Sequence, residues 1–353
     1  MKGLRKYIPP FAPDQSGAAS VLYKLGGIIV ICDAGGCAGN VCGFDEPRWA
    51  AEKSAIFSAG LRDMDAILGR DDRLVAKLAD AAKKVEAKFA AIIGTPVPSV
   101  IATDYKAIKK MSERKLDVPV ITIETTGMDL YDVGAEKAYL KTFKTFAKDG
   151  LTVDKEGIGV IGTIPLDVSD LKAADKIEMT LKSEGFKNVY CYGMGADLSK
   201  VEAAGSVFKN IVVSPAGLKA AQYLKDRFGT PYEVYYPLVG DMLQDEMKEQ
   251  FKYFEGKKVL VIHQQVIANS IRDKINENVN SDVTVASWFM LKDELKEAKD
   301  ISLTEEDQFV ELIEQGNYDV IVGDNILKRA IPNFKGRYVG TPHFAVSGKM
   351  CMI

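Results

Sequence analysis

Residues Ile29–Trp49 read IVICDAGGCAGNVCGFDEPRW. An apolar, β-branched run ends at Cys32 and opens at once into a turn carrying Gly35, Gly36, Gly39 and Gly43. A continuous apolar run bounded by turn residues is the pattern of a strand covered on both faces. The loop that follows such a strand is where open parallel sheets bind ligands, and glycine lets the backbone turn tightly and approach a ligand closely. The turn is expected to feed a helix whose first turn includes Pro47. Three of the five cysteines stand in this stretch, Cys32, Cys37 and Cys42.

The same alternation runs through the chain. Further strands are expected at Ala90–Gly94, Val118–Glu124 and Gly157–Ile164, and in KNVYCY, KNIVVS, YEVYY, KKVLVIH, DVTVAS, YDVIVGD and GRYVG. Amphipathic segments lie between them. In DRLVAKLADAAKKVEAKF, Leu74, Leu78, Ala81 and Val85 recur at three- and four-residue spacing and share one helical face. In SPAGLKAAQYLKDRFG, Ser214 is placed to cap, Pro215 fits the first turn, and Gly229 suits the left-handed residue that ends a helix. Strand–helix–strand repetition defines an α/β fold with parallel sheets and right-handed crossovers. Polar, glycine-containing joints at 147–157 and 249–258 divide it into two to three Rossmann-like domains, cut at 1–152, 153–254 and 255–353.

Composition narrows the function. A net charge of −3 over 353 residues is no footprint for nucleic acid or an anionic membrane. No apolar run reaches the roughly 20 residues of a membrane span. Pro9, Pro10 and Pro13 interrupt the segment where a signal peptide needs an apolar stretch. An odd number of cysteines crowded at one end is no disulfide framework. Together these point to a cytoplasmic protein with reduced or ligating thiols.

The spacing C-x4-C-x4-C fails the common mononuclear zinc patterns, which use close pairs such as C-x2-C, and three thiols fall short of a four-cysteine iron–sulfur site. Neither nucleotide fingerprint, G-x-G-x-x-G nor G-x-x-x-x-G-K-[ST], occurs in the turn. Two chains meeting here would supply the missing ligands. Alternatively, the thiols are redox groups or small buried residues: Cys32, at a strand end, favours burial, while Cys37, between Gly36 and Ala38, is the best placed to ligate. Cys191 and Cys351 read as packing residues. His263 and His343 each follow a strand-like run and, with Gln264 and Gln265, are polar candidates for a cleft. Neither histidine has a recognisable carboxylate or cysteine partner in the sequence, which favours structural roles.

The order of these segments resembles the nitrogenase component 1-type oxidoreductase superfamily, nearly collinearly from about Ile28 to Val346. CDAGGCAGN is similar to the family's H-G-P-x-G-C segment, with Cys37 on its cluster-ligand cysteine and Cys32 replacing its histidine. FAAIIGTPVPSVIATDYKAI resembles T-C-P-x-x-L-I-G-D-D-I. VPVITIETTGM, GIGVIGTIPLDVSDL, FGTPYEVYYPLVG, GKKVLVIHQQVIANSI and NYDVIVGDN follow in the family's order. The departures are specific. Thr95 or Pro96 stands where the second cluster cysteine belongs, and the double aspartate is Thr103–Asp104. No cysteine–histidine pair matches the ligands of the nitrogenase catalytic cofactor, which argues against dinitrogen reduction. The resemblance implies a homodimer, or a heterodimer with a related subunit. It further implies an iron–sulfur cluster, [4Fe-4S] in type, shared at the interface. Its site would comprise Gly36 and Cys37, with Cys32 or Cys42 as a second ligand, and an ATP-dependent iron–sulfur reductase would supply electrons for an unidentified substrate. The competing readings are a cluster-assembly scaffold and a cluster-free α/β small-molecule binder.

Overall fold

In the computed structural model, residues 5–350 are described, so Cys351 lies outside the described residues. Strands Ile28–Ile31 (β1), Ile56–Ser58 (β2), Ala90–Ile93 (β3) and Val120–Ile123 (β4) form one sheet in the order β2-β1-β3-β4. Asp154–Ile161 (β5), Asn188–Tyr192 (β6), Val207–Val212 (β7) and Tyr232–Val234 (β8) form a second, β6-β5-β7-β8. Lys258–Ile262 (β9), Asp282–Ser287 (β10), Ile301–Ser302 (β11), Val320–Gly323 (β12) and Arg337–Gly340 (β13) form a third, β11-β10-β9-β12-β13. Every ladder is parallel, with Ile31 opposite Ile93, Ile161 opposite Val212, and Val261 opposite Val322. The α/β class with parallel sheets is therefore as the sequence implies.

Each expected strand coincides with an observed one. The sequence reading missed β2 and β11, which are edge strands of three and two residues, too short to carry a period. Helix punctuation also holds at the second sheet. Ser214 accepts from Ala216 N at 3.3 Å, Pro215 opens a 3₁₀ turn, and Gly229 ends the helix Leu218–Phe228 at φ +76°. Pro47 corrects the expectation: it opens only a 3₁₀ turn, Pro47–Ala50. The turn after β1 is instead helical from Gly36 to Asn40 and π-wound from Val41 to Asp45.

Each sheet reverses direction beside its first strand, at β1/β3, β5/β7 and β9/β12. The loops beyond the C-terminal ends of these strand pairs are the ligand-binding positions of parallel sheets. Two helices hold them in place. All nine residues of Asp14–Leu22 are buried, and it crosses Tyr131–Phe146 at glycines. A Cβ on Gly17 would meet Tyr131 O at 1.8 Å, and one on Gly134 would meet Asp14 O at 1.7 Å. Around this crossing, one apolar core runs through the sheets, including Ile31, Ile93, Ile161, Val212, Ile262 and Ile321.

Candidate functional site

The cysteine turn is built from the ends of β1 and β3. Cys32 N donates to Ile93 O at 2.8 Å, continuing the ladder one residue past the strand. The Cys32 side chain is buried among Leu74, Ile92, Tyr105 and Ile108, and burial, then Asp71 and Asp33, pushes its thiol up to about 12. Asp33, also buried, accepts from Ala38 N at 2.8 Å and from Ser58 Oγ at 2.6 Å, and so pins the start of the short helix. Gly35 precedes that helix at φ +129°, a conformation a side chain would strain.

Cys37 sits half-buried in the first turn of this helix. Burial and the Asp33 carboxylate raise its thiol, while the Thr95 hydroxyl beside it pulls the other way. Thr95 is fully buried and donates to Cys32 O at 2.7 Å, so it ties together both ends of the turn. Thr95, one of the two residues at the resemblance's missing cysteine, is therefore already next to Cys37. Cys42, half-buried in the π turn, is raised by burial and then by Glu46. Glu46 forms a buried pair with Arg48, with Nη2 to Oε2 at 2.6 Å. Arg48 in turn donates to Gly193 O at 2.6 Å and Ser20 O at 2.8 Å, anchoring the turn to the second sheet and to the buried helix.

The structure thus brings Cys37, Thr95 and Asp33 together, while the Cys32 side chain packs into the apolar cluster on the sheet. Among the described residues, no three His, Cys, Asp or Glu side chains of the single chain form a group able to hold a metal ion. Cys191 is buried, as expected, with its thiol pushed up by burial. Exposed apolar side chains stand on segments that leave the same sheet. Val100 is 85% exposed, Met128 84% and Phe44 76%, on segments that follow β3, β4 and β1. A cavity of about 420 Å³ opens beside Asn40, Phe44 and Asp45, and its far wall is Leu166 and Phe344–Gly348.

A second polar group lies where the three sheets meet. His263 and His343 are buried and stacked, with ring centroids 4.1 Å apart and planes within 7°. Gln264 N donates to His263 Nδ1 at 2.9 Å, so Nε2 carries the proton and donates to Pro342 O at 3.2 Å. Burial lowers this imidazole to about 4 and holds His343 well below its ordinary value, with His263 adding to the second shift. Tyr131 donates to Asp167 Oδ1 at 2.5 Å and lies 3.4 Å from His343 Nε2. Burial raises Asp167 to about 7, against the opposing pull of the Tyr131 and Ser214 hydroxyls. His343 therefore does reach a carboxylate, through a tyrosine contributed by a distant helix. Asp167, three residues after the conspicuous GIGVIGTI run, was the available sequence signal. Gln264 and Gln265 are spent on backbone, with Nε2 donating to Val213 O at 2.7 Å and Lys292 O at 2.9 Å respectively.

Three parallel sheets, with thiol and polar side chains collected beyond the C-terminal ends of their strands, define an α/β protein of several sheets. The sequence model of the nitrogenase component 1 type oxidoreductase family matches residues 15–241, more than half of the chain, and the protein belongs to that family. Among solved structures it is similar to "Nitrogenase Cp1 at pH 6.5", with TM-score 0.74 and 10% identity, covering 99% of this chain and 91% of that one. It is also similar to "Nitrogenase Cp1 at pH 5", with TM-score 0.71 and 14% identity, covering 96% and 85%. No curated protein matches. Among the described residues, no helix is long and apolar enough to cross a membrane.

Proposed function

We propose that this chain is a redox subunit that pairs with a second copy or a related chain, holds an iron–sulfur cluster of [4Fe-4S] type between the two, and passes electrons onward from an ATP-dependent iron–sulfur reductase. The observation that carries the reading is the half-buried Cys37 at the end of a sheet whose connecting segments carry the exposed Phe44, Val100 and Met128. Exposed apolar side chains at the same sheet end as a soft ligand suit a surface that a partner covers. One chain supplies too few thiols for a cluster, and two chains facing each other across this turn would supply enough. Cys37 is the principal ligand in this reading, beside the Gly36 backbone, and Cys42 is the second thiol within reach of the surface. Cys32 would join only by leaving its apolar cluster. Thr95 would orient Cys37 rather than ligate. The cavity between the turn and Phe344–Gly348 is the place for an acceptor molecule, within units bounded at 1–152, 153–254 and 255–353.

Anaerobic purification and reconstitution with iron and sulfide, read by iron content and visible absorbance, tests this. The expected result is a coloured dimer whose iron is lost in Cys37→Ala, and which an ATP-driven iron–sulfur reductase bleaches. A colourless, iron-free protein would sink the reading.

A further inference from the structure

The group at the sheet junction has a property that the cysteine turn lacks. Each unit contributes a link: Tyr131 starts the long helix after β4, Asp167 follows β5, and His343 follows β13 with His263 stacked on it from the end of β9. Among the described residues, His343 Nδ1 is buried without a hydrogen-bond partner, and apart from Tyr131 Asp167 has only the Ser214 hydroxyl beside it. A buried group without a partner is costly, so this arrangement is kept against a penalty.

We propose that Asp167, Tyr131 and His343 form a proton-binding site that takes up one proton at neutral pH without ever creating a buried imidazolium. With Asp167 ionised, Tyr131 O–H donates to its Oδ1, as observed, so His343 must present Nε2–H to the tyrosine oxygen and leave Nδ1 bare. A proton arriving at Nδ1 lets Nε2 release its proton to Tyr131 Oη, which passes its own to Asp167. The product has Asp167 O–H donating to Tyr131, Tyr131 donating to His343 Nε2, and Nδ1 protonated. One proton enters, three move, and the carboxylate charge is neutralised while both rings stay neutral. Burial favours this neutral product over a carboxylate–imidazolium pair, because each buried ion costs several kcal/mol.

The neighbours reinforce that choice. On the tyrosine's helix, Asp132 accepts from Met290 N at 2.5 Å and Tyr139 lies within electrostatic reach of Asp167. After β12, Asp324 accepts from His343 N at 2.8 Å, so it braces the backbone rather than the ring. After β9, His263 stacks flat on His343 and is itself held neutral. A raised Asp167 puts uptake near neutrality. Leu166 and Phe344, the chain neighbours of Asp167 and His343, form part of the wall of the 420 Å³ cavity, so the stored proton lies one residue behind a place where a small molecule fits.

The chain holds two histidines, which makes the test direct. In full-length protein labelled with ¹⁵N-histidine, ring-nitrogen spectra are recorded from ~pH 5.5 to ~pH 8.5, the window that brackets neutrality. His343 is expected to change from the Nε2–H to the Nδ1–H tautomer as pH falls, while His263 stays Nε2–H throughout and serves as the internal control. Asp167→Asn should fix His343 in one tautomer at every pH, and Tyr131→Phe should uncouple it from the carboxyl. The second variant serves if the first fails to fold. A single His343 tautomer across the window overturns the proposal. So does formation of its imidazolium there, or a tautomer switch that survives both substitutions. No iron is needed, so the outcome is separate from that of the cluster reading.

Discussion

The cysteine turn and the histidine junction occupy equivalent places, beyond the C-terminal ends of strands in parallel sheets, yet the fold treats them in opposite ways. At the turn, Gly36, Gly39 and Gly43 meet nothing within 4 Å of a would-be Cβ, two thiols are half-buried, and large apolar side chains face outward. At the junction, His263, His343, Tyr131 and Asp167 are sealed, and helices approach so closely that a methyl group has no room. The difference teaches which groups the chain completes by itself and which it leaves for something else to cover. Open space around conformationally costly glycines is wasteful in a finished core, and useful at a surface where another molecule comes close.

The comparison breaks most easily at the glycine crossing. Gly134→Ala places a Cβ 1.7 Å from Asp14 O, a backbone atom that cannot rotate away. Asp14 also holds the loop after β4, accepting from Thr126 N at 2.8 Å and Gly127 N at 2.7 Å, so displacing it loosens that loop too. The expected cost is about 3 kcal/mol or more, measured as a shift in urea midpoint. A variant of wild-type stability would mean the junction is less rigid than its packing implies.

A smaller effect should appear with pH. The unfolded chain protonates both imidazoles near 6.5, whereas the folded chain holds His263 down to about 4 and His343 well below its ordinary value. Their contribution is fully present above about pH 6.5 and is lost as pH falls toward 4. Asp167 has the opposite sign: its folded value of about 7 lies above the unfolded 3.8, so its contribution is full below 3.8 and disappears as pH rises through 7. Between ~pH 4.5 and ~pH 6, two protons taken up by the unfolded chain oppose one held by the folded chain. These three groups together should therefore lower stability by about 1.4 kcal/mol per unit of acidification. His263→Asn removes one of the two and should flatten the slope over that window. An unchanged slope would show that other groups govern acid unfolding.

How much of this was legible depends on whether the signal was local. Strands such as IIVI at Ile28–Ile31 and VLVI at 259–262 announce themselves because both faces are covered and every residue is apolar. β2 and β11 did not, since three and two residues cannot display a period. The turn was legible as a place but not as a conformation. Its helix begins at Gly36 because Asp33 satisfies Ala38 N from outside, a contact no propensity encodes. Cys32 read correctly as more buried than Cys37, since a strand-end residue faces a core. The partners of the histidines were invisible for a plainer reason. Tyr131 and His343 are 212 positions apart, and only the meeting of three sheets makes them neighbours.

The smallest predicted effect bears on the open half of the comparison. Gly39 is helical, and a Cβ there would meet nothing within 4 Å, so Gly39→Ala should stabilise the single chain by up to about 1 kcal/mol through helix propensity alone. A mutation neutral or favourable for the isolated fold becomes informative when association is measured alongside it. If a partner covers this turn, the added methyl group stands between the chains, and the melting temperature should rise while dimer formation or iron retention weakens. Should stability, association and iron all stay as they are, the surface around Cys37 would be open for some reason other than docking. A fall in the stability of the monomer would instead show that the turn is as tightly packed as the junction, and the contrast between the two regions would fail.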